Sequence, residues 1–254
     1  MTAGAPYSTT EAAKAKTFSK GIWLPVYLVG VKSSSAAIEH VSPRVFYNGE
    51  YPTEPLTDDS HGDFSVDVVV HMTSPAATSG TLTATGAWVG GSASVPVTLP
   101  AGASNVTVTL PAANNAVKLW WPAQTPGAQN LYNITVEFTE AGGIPKVAMR
   151  RVGFRILTLV TGNDTDPSTL AGKDGQDGFT MRFKVNGANI WSRGSNMIPM
   201  EELEGRHSDA AHRRLVQSAA EAGFNTFRLW GGGIYQLSVR VSHLTLVPTT
   251  RRRD

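Results

Sequence analysis

Strict alternation of apolar and polar residues runs through much of this chain. Phe64, Val66, Val68, Val70 and Met72 alternate with Ser65, Asp67 and His71. A β-strand, whose side chains point to opposite faces in turn, puts the first set on one side and the second on the other. Further runs of this kind are 23–31, 81–89, 94–99, 104–110, 131–138 and 146–159. Between them stand turn dipeptides: Ser42-Pro43, Gly90-Gly91, Pro100-Ala101, Pro111-Ala112 and Gly142-Gly143. This punctuation predicts an antiparallel β-sandwich of immunoglobulin type. The 254 residues include no cysteine, so apolar burial alone must join the two sheets. Thiolate metal sites, iron-sulfur clusters and thiol nucleophiles are excluded by the same inventory.

After Leu159 the pattern changes. Residues 161–178 are polar and rich in Asp and Gly. Asp164, Asp166, Asp174 and Asp177 lack the ligand ladder ending in Glu that a calcium loop needs, so the segment reads as a solvated loop. A short strand is expected at 179–183, a hairpin turn at Asn186-Gly187 and a second strand at 188–195. Ser208 or Asp209 can cap a helix with an apolar stripe of Ala211, Leu215, Ala219 and Ala222, closed by Gly223. Residues 224–230 read as another strand, and strand, helix, strand is the opening unit of an α/β architecture. A complete (β/α)8 barrel needs about 250 residues. The expectation is therefore a mainly β chain: a sandwich followed by the first βα units of an incomplete barrel.

The formal charge is +2, from 22 Lys and Arg against 20 Asp and Glu. Residues 237–254 hold four arginines against Asp254, which is +3, and the remaining 236 residues are 18 minus 19, or −1. The basic balance is thus a property of the tail, and no nucleic-acid partner is expected. No run of about 18 apolar residues could span a membrane, and residues 1–20 lack the apolar block of a secretory signal. Three Asn-x-Thr triplets, at Asn105, Asn133 and Asn163, are nevertheless candidate glycosylation sites.

His207 and His212 are five apart and do not share a helical face as zinc ligands at i and i+4 would, so no metal site is expected. There is no Gly-x-Ser-x-Gly elbow and no phosphate loop ending in Gly-Lys-Ser/Thr. Gly231, Gly232 and Gly233 lead into Ile234-Tyr235 and not into a helix amino terminus, so no nucleotide or other cofactor is expected. Arg228 and Trp230 share strand parity, and the glycines after them allow close approach of a ligand. An indole beside a guanidinium makes a sugar platform; a core Trp with a surface Arg is the plainer reading of the same spacing.

Four stretches together resemble the β-mannosidases of glycoside hydrolase family two: Gly21-Ile-Trp-Leu-Pro-Val-Tyr-Leu28; Leu119-Trp-Trp-Pro122 with Leu131-Tyr-Asn-Ile-Thr-Val136 and Arg150-Arg-Val-Gly-Phe-Arg155; Phe183-Lys-Val-Asn-Gly187 with Arg193-Gly-Ser-Asn-Met-Ile-Pro199; and Phe227-Arg-Leu-Trp-Gly-Gly-Gly-Ile-Tyr235. The resemblance implies a remnant of a sugar-binding jelly-roll at 1–36, the immunoglobulin-like sandwich at 37–158, the start of the catalytic barrel at 159–236 and a divergent basic tail at 237–254. It also implies retaining hydrolysis of terminal β-linked mannose, with Arg228, Trp230 and Asn196 lining the mannose subsite, in a lysosomal or secreted setting. Such hydrolysis needs two glutamates about 5 to 5.5 Å apart. In the family the acid/base follows an Asn, and this sequence has no Asn-Glu pair. Gln236 stands where the family usually has Glu, and Glu201 where an Asp usually follows Ile-Pro-x. The expectation is an internal piece of a larger enzyme, cut at both ends, with no catalytic residue of its own and inactive alone. The oligomeric state stays open. The alternative is a non-catalytic carbohydrate-binding or adhesion module, told apart by whether an Asn-Glu in a continuing α/β repeat lies in the surrounding coding sequence.

Overall fold

The computed structural model describes residues 35–52, 54–56, 61–125, 127–160, 181–197 and 208–229, with Val26 and Gly30 besides. The expected loop at 161–178 and the basic tail lie outside the described residues, as does the strand expected at 23–31 apart from Val26 and Gly30. The chain divides into two compact units, one of residues 29–121 and 127–191, the other of 1–28, 122–126 and 192–254.

In the first unit seven strands form two antiparallel sheets. They are β1 (Ala37–Tyr47), β2 (Phe64–Ser74), β3 (Thr78–Gly86), β4 (Ser92–Leu99), β5 (Gly102–Ala112), β6 (Tyr132–Glu140) and β7 (Lys146–Val152), in the orders β1-β2-β5 and β4-β3-β6-β7. The alternation in β2 does what its sequence requires: Phe64, Val66, Val68, Val70 and Met72 are buried. They share one core with Val108 and Leu110 of β5, Leu82 and Ala84 of β3, and Ile134, Val136 and Phe138 of β6. Each such Val or Leu contributes about 1.5–3 kcal/mol of apolar burial. Phe154 closes one region of this core, its ring 5.3 Å from Phe64, 5.2 Å from Trp88 and 5.5 Å from Tyr132.

Four expectations need correction. Ser42-Pro43 is not a turn but lies inside β1, where Pro43 pairs with Val68. Pro111-Ala112, likewise, is not a turn but ends β5, and Pro96 lies inside β4, within the run expected at 94–99. All three prolines stand on edge strands, where a missing N–H need not leave a ladder acceptor unmatched. The run at 81–89 stops at Gly86 because Trp88 folds back over Gly86 and Gly91, whose lack of Cβ makes room for the indole. Its Nε1 donates to the Pro111 carbonyl at 2.8 Å. The run at 146–159 is two strands, β7 and β8 (Leu157–Val160), separated where the Trp120 N–H takes the Phe154 carbonyl at 2.7 Å.

The hairpin β9 (Arg182–Val185) and β10 (Ala188–Ile190) pairs with β8 in the order β10-β9-β8. Its turn residues Asn186 and Gly187 have φ of 49° and 84°, the left-handed pair that Asn-Gly favours. Asn186 is buried, and its side chain accepts from Ile156 N at 3.0 Å and donates to the Trp120 carbonyl at 2.9 Å. The turn is thereby pinned to the Leu-Trp-Trp-Pro stretch.

The second unit holds β11 (Gly194–Met197), α1 (Asp209–Glu221) and β12 (Thr226–Leu229), with β11 and β12 parallel. The single strand expected at 188–195 is thus the separate pieces β10 and β11. Ser208 caps α1, its hydroxyl accepting from Ala211 N at 3.3 Å. Gly223, at φ 82°, ends it: Gly223 N donates to Ala220 O at 3.0 Å and Phe224 N to Ala219 O at 2.9 Å, a Schellman motif. The expected stripe is rotated. The buried residues are His212, Val216 and Ala219, while Ala211, Leu215 and Ala222 face outward. Val216 and Ala219 pack with Met197 and Phe227, and His212 tolerates burial because its Nδ1 lies 3.2 Å from the Ser208 carbonyl.

Candidate functional site

The parallel pair β11/β12 is set by a clamp at its start. The Asn225 side-chain oxygen accepts from Arg193 N and from the Thr226 hydroxyl, each at 2.9 Å, while Asn225 N and Thr226 N donate to the Arg193 carbonyl at 2.9 and 3.2 Å. Gly194 follows, and a Cβ there would collide with the Thr226 carbonyl, so only glycine permits the strands to meet at this point. The resulting register sets Asn196 opposite Arg228. Alternation then does the rest: Met197 and Phe227 turn into the apolar cluster, and Asn196 and Arg228 turn to solvent.

On that exposed face Arg228 Nη1 donates to Asn196 Oδ1 at 3.0 Å. The bond orients the guanidinium edge and leaves further donors, together with the Asn196 amide nitrogen, to bind hydroxyl or carboxylate oxygens. Two of the three residues expected to line a sugar subsite are therefore brought together. The third, Trp230, lies outside the described residues, as do Glu201, His207 and Gln236. Sequence reasoning passed over Asn225 and Gly194, the two residues that fix the pair. The signal for Asn225 was its place between a helix-ending Gly223-Phe224 and a strand; Gly194 carried none, since its need arises from a strand distant in sequence.

The other carboxylates are structural where their partners are seen. Glu140 accepts Lys146 Nζ at 2.6 Å, the Ser35 hydroxyl at 2.7 Å, Ala36 N at 2.8 Å and the Thr78 hydroxyl at 3.3 Å. Burial pushes its carboxyl upward, but Lys146, Ala36 and Ser35 outweigh that and hold it at about 2. Glu137 accepts the Thr139 hydroxyl at 3.2 Å and Glu221 accepts Gln217 Nε2 at 2.9 Å. Among the described residues no group of three His, Asp or Glu could hold a metal ion. Asn105 and Asn133 are exposed on β5 and β6; Asn163 lies outside the described residues.

Residues 51–155 match the family model of glycosyl hydrolases family 2. The chain is 37% identical over 117 residues to a β-mannosidase of Rattus norvegicus, covering 46% of this chain and 12% of that protein. It is 38% identical over 120 residues to β-mannosidase A of Aspergillus aculeatus, again covering 46% and 12%. Among solved structures, a β-D-mannosidase from Dictyoglomus thermophilum superposes with a TM-score of 0.60 at 24% identity, covering 80% of this chain and 22% of that one. An exo-chitosanase of Amycolatopsis orientalis gives 0.56 at 21% identity, covering 79% and 20%. The aligned part thus spans about an eighth of the length of these curated relatives. The two structures agree with the fold.

Proposed function

We propose that this chain, whose residues 51–155 match the family model of glycosyl hydrolases family 2, is part of a β-mannosidase-like glycoside hydrolase. The observation that carries this reading is the 37–38% identity to animal and fungal β-mannosidases. The substrate class is a terminal β-D-mannoside, cleaved with retention by the complete machinery. In this reading residues 37–158 are the immunoglobulin-like sandwich, 1–36 the end of a sugar-binding jelly-roll and 237–254 a divergent tail. The β11-α1-β12 unit supports reading 159–236 as the start of a (β/α)8 barrel, because parallel strands joined through a helix are that fold's repeating element. Arg228 and Asn196 then bind mannose hydroxyls, with Trp230 as the stacking surface. The setting is lysosomal or secreted; among the described residues no helix is long and apolar enough to cross a membrane.

Turnover is a separate matter. Retaining hydrolysis needs an acid/base and a nucleophile, both carboxylates, facing across about 5 to 5.5 Å. The sequence offers no Asn-Glu pair to supply the first. The chain alone therefore releases no aryl alcohol from an aryl β-mannoside. The assay compares it with Trp230→Ala at high protein concentration, and hydrolysis above that control overturns the prediction. Binding is tested by titrating mannose against Arg228→Ala, whose weaker association supports the subsite and whose unchanged association removes it.

A further inference from the structure

We infer that Asn105 and Asn133 carry N-linked glycans, one on each broad face of the sandwich; this rests on the secretory setting proposed above. In a strand, residues i and i+2 share a face. An Asn-x-Thr triplet in a strand therefore presents its asparagine and threonine together. In β5 this puts Asn105 and Thr107 outward, both exposed, while Val106 packs against the core. In β6 it puts Asn133 and Thr135 outward while Ile134 is fully buried. The acceptor and the hydroxyl that an oligosaccharyltransferase reads stand side by side on the outward face of both strands, with Thr107 exposed and Thr135 half-buried.

A second observation separates these asparagines from others in the molecule. Asn130, Asn186, Asn196 and Asn225 each spend the side chain on a hydrogen bond that holds the fold. Among the described residues the Asn105 and Asn133 side chains make no such bond, so a glycan there breaks no fastening of this kind. In the transfer, the amide nitrogen loses one proton and bonds to the anomeric carbon of an oligosaccharide donated by a lipid diphosphate, which departs with the electrons of the broken carbon–oxygen bond. Asn105 lies in the sheet β1-β2-β5 and Asn133 in the sheet β4-β3-β6-β7, so the two glycans shield opposite sheets. The Asn105 glycan also guards an open edge, because β5 pairs only with β2.

The test is peptide mass spectrometry of the protein recovered from its own source, after an amidase that leaves Asp wherever a glycan stood. Conversion at Asn105 and at Asn133 is expected; an unmodified peptide at either position overturns the assignment there. In parallel, the chain secreted from a eukaryotic host loses one mobility step with Asn105→Gln and one with Asn133→Gln. Thr107→Ala and Thr135→Ala repeat the loss with the asparagines kept, so a folding defect in the first pair cannot stand in for a lost glycan. Loss of no step with either set refutes the inference, whatever the mannoside assay gives.

Discussion

Glu140 offers a direct test of how the sandwich holds its first strand. Its carboxylate ties Ser35 and Ala36, just ahead of β1, to the end of β6 and to Lys146 at the start of β7. The folded-state pKa of about 2 lies below the ordinary 4.5, so this contribution is fully present above about pH 4.5 and is lost as the pH falls toward 2. A shift of that size corresponds to about 3 kcal/mol at most. The Lys146 side chain is 23% exposed, and solvent screening brings the expected effect to about 2 kcal/mol. Glu140→Gln keeps the shape but removes the charge, so the variant is weaker than the parent at pH 7 by about 1–2 kcal/mol and within a few tenths of it at about pH 2. Urea unfolding from pH 7 to 2 measures the convergence, and hydrogen exchange at the Ala36 amide reads the same clamp locally. Stability curves that stay parallel over the whole range would mean that Glu140 is solvated in the folded state and that the clamp does not exist.

Two further substitutions probe the β11/β12 pair and, separately, the Asn186-Gly187 turn. Gly194→Ala forces a methyl into the Thr226 carbonyl and should cost about 2–3 kcal/mol locally, read as lost exchange protection at 194–197 and 226–229 with the sandwich amides unchanged. Asn186→Gly retains the left-handed turn but leaves Ile156 N and the Trp120 carbonyl without their partner, so it should lower the thermal midpoint by the equivalent of about 2–3 kcal/mol, and a neutral result would show that water replaces the amide.

Much of the fold was legible because its strands alternate cleanly and its turns use residues with one reading. Asn186-Gly187, Ser208 and Gly223 each act through local backbone chemistry, which a sequence displays directly. The failures share a different cause. Pro43 reads as a breaker unless the strand is known to be an edge, and edges are decided by which strands pair across the sheet. The α1 stripe was misplaced by one residue because alanines outnumber larger apolar residues there. Packing was decided by Val216 against Met197 and Phe227, with a satisfied His212 beside it. The break between β10 and β11 likewise follows from a change of partner, antiparallel to β9 on one side and parallel to β12 on the other.

The same distinction separates position from chemistry at the candidate site. Strongly shifted groups often mark active sites, and among the described residues the carboxyl so shifted is Glu140. The direction decides its meaning. A general acid for glycoside cleavage needs a raised pKa so that it still holds a proton near neutral pH. Glu140 is held at about 2, ionised and fully occupied by its own neighbours, which suits a fastener and disqualifies a proton donor. What β11 and β12 supply instead is orientation: a clamp at Asn225, a glycine that lets the strands close, and an Arg228–Asn196 pair aimed at solvent. That arrangement holds a guanidinium and a carboxamide at fixed positions on an exposed face, which is what the proposed binding role requires of it.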